Sequence, residues 1–254
     1  MPTLSGFVDT ALSCVGMTRH DSPRPPLAFV AGATGYTGQA VVRAARARGL
    51  ATHAHVRPDS PALDRWRETF GELGAVVEPT PWNLEAMTET LARIQPTQVF
   101  ALLGTTRKRG ATDGGTYESV DYGLTAMLLD ACLAAGLRPR FVYLSALGAD
   151  PDGRPGSYLE VRGRFEQKLF ASGLPYVVAR PAIVTGADRA EHRPAERLGA
   201  VVGDALLGVA GLLGARSLAT KYASTTADVL GTALVRLASD PAATSRVATG
   251  ADLR

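Results

Sequence analysis

Three side chains are spaced to carry proton chemistry together: Ser145, Tyr158 and Arg162. Ser145 follows Arg140-Phe141-Val142-Tyr143-Leu144, an apolar run of strand length. It therefore stands at a strand's carboxyl end, where open α/β sheets place ligands. Tyr158 opens the next helical stretch, and Arg162, at i+4, shares its face one turn along. A tyrosine so placed gives or takes a proton while hydride moves to or from carbon. Its reference pKa of about 10 is high for a base. A cation at about 4 Å in an effective dielectric of about 20 supplies up to about 4 kcal/mol favouring phenolate. The serine hydroxyl can then hold the substrate oxygen. Alone, Ser145 reads as a strand-end cap and Tyr158 as a half-buried aromatic. Their order, with the cation, is what points to a site.

Hydride needs a carrier, and Gly32-Ala33-Thr34-Gly35-Tyr36-Thr37-Gly38 is suited to hold one. The apolar Leu27-Ala28-Phe29-Val30-Ala31 precedes it, and an alanine-rich, helix-favouring stretch follows from Gln39. Strand, glycine turn and helix form the context in which such a motif reads as dinucleotide-binding. Glycine permits the tight turn and close backbone approach. The free amides and positive dipole end of the helix then face a pyrophosphate. The spacing is GxxGxxG rather than GxGxxG, and a ligand-free glycine turn is the bland alternative. The end of the second strand selects between cofactors: a carboxylate suits NAD, whereas arginine accommodates a 2′-phosphate. Here Arg57 comes first and Asp59 follows. The expectation is NADP(H) over NAD(H), with Arg57 as a surface cation and Asp59 on the ribose as the competing readings.

The elements that must position these groups alternate along the chain. Strands are predicted over 27–31, 52–56, 75–78, 98–103, 140–144 and 176–179. Helical stretches are predicted within 61–74 and over 84–94, 117–135, 157–172 and 226–238, with Asn83 as an N-cap and Gly136 as a stop. Alternation of this kind makes a doubly wound parallel sheet the economical fold. Residues 1–25 read as a loose extension, closed off by Pro23, Pro25 and Pro26. One domain is expected over 26–254, with a small helical, substrate-side lobe from about residue 185. Within it, Leu198–Leu218 is apolar and glycine-punctuated. On a helical wheel Leu198, Val201, Val202, Leu206, Val209, Leu212 and Leu213 share an arc. Asp204 and the glycines argue against a transmembrane span, and a peripheral membrane contact is a lesser alternative.

Composition narrows the classes. The charge is +3, and the arginines are scattered among acids rather than striped, so no nucleic-acid surface is expected. Cys14 and Cys132 are too few and too unlike in context for a disulfide, which makes a reducing cytoplasm the default. The histidines 20, 53, 55 and 192 are dispersed and form no metal-ligand cluster.

Taken in order, Gly32–Gly38, Gly104-Thr105-Thr106 after the fourth strand, Ser145 with Gly148-Ala149-Asp150, the Tyr158-to-Glu166 helix and Arg180-Pro181 resemble the atypical and extended short-chain dehydrogenase/reductases. The segment 144–150 with 158–163 is most similar to the NmrA-like and Tat-interacting-protein-like NAD(P)H-binding branch. The resemblance covers about residues 27–185. It implies a Rossmann fold, with Gly32, Ala33, Thr34, Gly35, Tyr36, Thr37, Gly38, Arg57, Gly104 and Thr105 toward the cofactor and Ser145, Tyr158 and Arg162 toward a small carbonyl or alcohol. One departure stands out: the family's i+4 lysine is Arg162 here. Arginine keeps the charge but cannot relay a proton. The branch holds reductases and dinucleotide-reading regulators alike. A redox sensor acting through a regulatory protein partner is therefore the second expectation, and a homodimer fits either.

Overall fold

In the computed structural model, residues 26–104, 116–182, 184–185 and 225–254 are described. Strand β1, Leu27–Ala31, is apolar at every position because both its faces are covered. Ala28 and Val30 point into one hydrophobic layer, Phe29 and Ala31 into the other. Around β1 lie β2 (Ala51–His55), β3 (Val76–Glu78), β4 (Gln98–Ala101), β5 (Arg140–Leu144) and β6 (Tyr176–Arg180). A short pair, β7 (Val184–Thr185) with β8 (Thr225–Thr226), stands apart, and β9 (Arg246–Thr249) returns to the main sheet. The order is β3-β2-β1-β4-β5-β6-β9, and every pairing is parallel. The chain reverses direction across the sheet between β1 and β4, which opens a crevice at their carboxyl ends. This is the doubly wound parallel fold read from the alternation.

Helices α1 (Tyr36–Ala47) and α6 (Ala227–Ser239) cover the layer around Val30, while α3 (Leu84–Ile94), α4 (Thr125–Ala134) and α5 (Tyr158–Ala171) cover the layer around Phe29. Helix α2, Leu63–Glu72, supports the β3 edge through Trp66 and Phe70. Asn83 caps α3 as expected, accepting from the Ala86 amide at 2.8 Å. Helices α1 and α6 meet closely: a Cβ on Gly231 would lie 2.8 Å from the Ala40 carbonyl carbon.

Beside the short β7–β8 pair and a 3-10 turn at Gly250–Leu253, which were not expected, two features differ from the expected elements. The helix predicted from Tyr117 begins as a π-helical segment, Tyr117–Leu124, before becoming α4. Strand β9 was not anticipated, because four residues after a Pro-Ala-Ala-Thr-Ser turn leave little pattern. Residues 225–254 supply α6 and β9 to the main body. The extension 1–25, Thr105, and the Leu198–Leu218 stretch lie outside the described residues.

Candidate functional site

The glycine turn sits where β1 faces β4. Gly32 has φ +82°, and a Cβ there would lie 2.7 Å from the Leu102 carbonyl oxygen beyond β4. Gly38 lets α1 approach its own turn: a Cβ would fall 2.0 Å from the Gly32 oxygen. Gly35 is the N-cap of α1, brings no capping side chain, and the first turn holds no acid. The positive helix end therefore has no anionic side chain of its own. A glycine turn at a helix start with a dipole behind it and no capping carboxylate fits a diphosphate. Gln39 Nε2 donates to Thr34 O at 3.0 Å and steadies the turn.

Helix α5 presents Tyr158, Arg162 and Glu166 on one face toward the ends of β4 and β5. Ser157 caps the helix, its oxygen accepting from the Glu160 amide at 3.3 Å. Tyr158 is half-buried, its ring 5.3 Å from that of Tyr117. Arg162 lies beneath it, guanidinium carbon 5.0 Å from the ring centroid. Only 3% of Arg162 is exposed. Its Nη1 donates to Leu144 O at 2.7 Å and Tyr143 Oη at 3.2 Å; its Nη2 donates to Leu103 O at 3.0 Å and Asp121 Oδ1 at 2.6 Å. Nε has no partner among the described residues. Burial opposes the charge on Arg162, but Tyr143, Tyr158 and Asp121 outweigh it and push its pKa above the ordinary value. Burial pushes the Tyr143 phenol up to about 12, against the pull of Arg162.

Ser145 is also buried. Its hydroxyl donates to Glu166 Oε1 at 2.5 Å. Arg180 holds the same carboxylate, with Nε 3.0 Å from Oε1 and Nη2 on Oε2. The structure thus joins Tyr158 to Arg162 directly, and Ser145 to the same helix face through Glu166. Gly104 belongs with them: a Cβ there would stand 3.2 Å from Arg162 Nη2. Arg57 follows β2, half-exposed, with Nη1 3.7 Å from Asp59 Oδ2.

Two partners were not anticipated. Asp121 is fully buried in the π-helical segment, a form of helix that recurs at functional sites. The sequence carries no clear signal for it, because Glu118 and Asp130 lie in the same helical stretch. Glu166 repeats the Tyr158–Arg162 spacing one step further, so helix periodicity alone could have found it. Among the described residues, no group of three or more His, Cys, Asp or Glu could hold a metal, and no helix is long and apolar enough to cross a membrane.

A family model described as NAD(P)H-binding matches residues 32–205, well over half of the chain. The chain belongs to this NAD(P)H-binding family. The matched region opens on Gly32, the first residue of the glycine turn. The chloroplastic protein TIC 62 of Pisum sativum is 28% identical over 182 residues, covering 64% of this chain and 34% of that protein. The Arabidopsis thaliana TIC 62 is 27% identical over 182 residues, covering 65% and 28%. The chain thus spans about a third of the length of these curated relatives. Among solved structures, an isoflavone reductase superposes with a TM-score of 0.59 at 17% identity, over 88% of this chain and 68% of that one. The UDP-N-acetylglucosamine 4-epimerase of Bacillus cereus gives 0.58 at 17%, over 87% and 77%. These likenesses are of fold, and they agree with the atypical short-chain dehydrogenase/reductase motifs.

Proposed function

We propose that this NAD(P)H-binding protein is an oxidoreductase for a small carbonyl or alcohol, using NADP(H) ahead of NAD(H). The observation that carries the reading is Tyr158, half-exposed above a buried and permanently charged Arg162, at the end of the sheet that carries the dinucleotide cradle. Gly32, Gly35 and Gly38, with Ala33 and Thr34 of the turn and Tyr36 and Thr37 at the start of α1, would hold the diphosphate. Arg57 would meet the 2′-phosphate, where a half-exposed arginine has only a loose surface contact with Asp59 to give up. Gly104 and Thr105 would border the nicotinamide side. When bound, the nicotinamide supplies or accepts the hydride.

Tyr158 passes a proton to or from the substrate oxygen. Arg162 places a fixed cation behind the phenol and cannot itself relay a proton. Ser145 orients the substrate oxygen. Exclusion of water from that oxygen would fall to the chain beyond Pro181.

A second reading is favoured by one observation. Both terminal nitrogens of Arg162 are spent on Leu103, Leu144, Tyr143 and Asp121. That leaves little to grip a nicotinamide ribose, as suits a sensor that binds dinucleotide and signals to a protein partner.

The deciding experiment has two arms. Thermal shifts with NADPH, NADP, NADH and NAD rank the cofactors, since a ligand of the native state adds RT ln(1 + [L]/Kd) to stability. Dinucleotide oxidation over a carbonyl panel then compares the wild type with Tyr158→Phe. Turnover that depends on Tyr158 supports the enzyme. Tight binding without turnover on any carbonyl supports the sensor, and no binding at all overturns both.

A further inference from the structure

We propose that Glu166 is a positioning residue that fixes the polarity of Ser145, so that the serine offers lone pairs rather than a hydrogen and the site holds its substrate as an alcohol. The inference rests on the oxidoreductase reading and names the substrate class for it. A serine hydroxyl has one hydrogen and two acceptor lone pairs. In this protein the hydrogen is committed: Ser145 Oγ donates to Glu166 Oε1 at 2.5 Å. Glu166 is 1% exposed, and Arg180 closes on both of its oxygens. An arginine fork of this kind matches an ionised carboxylate, which can only accept. Turning that hydrogen elsewhere would forfeit a charge-assisted bond and leave Arg180 Nε as the remaining described donor to Oε1.

What remains at the carboxyl end of β5 is an oxygen to which no described side chain donates. A carbonyl brings only lone pairs to that oxygen and makes no bond with it. An alcohol brings the missing hydrogen. On the oxidoreductase reading, in which Ser145 and Tyr158 meet the substrate, the network assigns the two groups different tasks. Ser145 accepts from the substrate hydroxyl, and Tyr158 is the group left to exchange the proton. A brace between α5, β5 and β6 would use the same three residues, but it would not distinguish an alcohol from its ketone.

The test measures that distinction by binding. The NADP-loaded protein is titrated by thermal shift with two matched pairs, cyclohexanol against cyclohexanone and 1-phenylethanol against acetophenone. The wild type is expected to prefer each alcohol by about fivefold, the worth of one net hydrogen bond. In Glu166→Gln the amide can donate to Ser145 Oγ and release the serine hydrogen, so the preference should fall to parity or reverse. Ser145→Ala is the second variant. It should erase the alcohol preference while leaving ketone affinity unchanged, and it keeps the proposal falsifiable if Glu166→Gln does not fold. Equal weakening of both members of each pair means a brace and overturns the proposal. So does an unchanged ratio in Ser145→Ala. If the protein binds NADP but neither member of either pair, the proposal fails while the dinucleotide site stands. If it binds no dinucleotide, the oxidoreductase reading itself has failed.

Discussion

Replacing Asp121 with alanine would strand the Arg162 guanidinium inside the protein. The two side chains are 0% and 4% exposed and meet at 2.6 Å. Removing one member of a buried pair costs about 3–5 kcal/mol, because the other charge is left uncompensated. Arg162 retains three neutral acceptors, the carbonyls of Leu103 and Leu144 and the Tyr143 hydroxyl. The lower end, about 3 kcal/mol, is therefore expected. For a chain of this size each kcal/mol shifts Tm by about 2–4 °C, giving a fall of about 6–12 °C. Urea titrations would compare the wild type, Asp121→Ala, Asp121→Asn and the double variant Asp121→Ala with Arg162→Met. Asparagine keeps an acceptor without the charge and should fall between wild type and alanine. The double variant removes both charges and should recover to within about 1 kcal/mol of the wild type, as apolar replacement of a buried pair commonly does. If Asp121→Ala costs under about 0.5 kcal/mol, or the double variant is worse than the single, the stranded-charge argument is wrong.

Gly38→Ala would place a Cβ 2.0 Å from the Gly32 oxygen, so α1 must lift from its turn. Calorimetry should show a lower Tm and dinucleotide affinity reduced by an order of magnitude or more; unchanged affinity would remove α1 from the site. Arg57→Asp should lower the NADPH-to-NADH affinity ratio by about tenfold or more, the worth of a charge-assisted bond, and an unaltered ratio in parallel titrations would exclude Arg57. Burial holds the pKa of His55 below 6.5, against the bond from Nε2 to Thr80 O and the charge of Glu78. The unfolded chain then takes a proton that the folded one refuses. Stability from this residue is full above pH 6.5 and is lost as the pH falls through the folded pKa. His55→Gln should flatten that part of a urea-stability profile; an identical slope would mean that other groups set it.

Much of the fold was legible because its signals are local. The apolar run 27–31, the glycines after it, the cap Asn83 and the helix starts near Ser157 and Thr226 each depend on residues close by in the chain. The π-helical segment was not legible: Tyr117–Leu124 has an ordinary helical pattern, and its altered geometry accompanies the inward placement of Asp121. The candidate site divides the same way. Tyr158 and Arg162 share a face by spacing alone. The partners that define their roles are long-range, Asp121 on another helix and Arg180 on another strand. Spacing suggests that Ser145 is free to donate; only tertiary contact reveals where its hydrogen goes.

The seam between Gly231 and Ala40 joins stretches that lie far apart along the polypeptide. The amino end of α1 is the proposed phosphate cradle, and its flank is that seam. Any ligand gripping the first turn of α1 therefore also disfavours openings that pull α6 away. Amide hydrogens in Ala227–Ser239 should exchange more slowly in the loaded protein, although no atom of that helix need touch the dinucleotide.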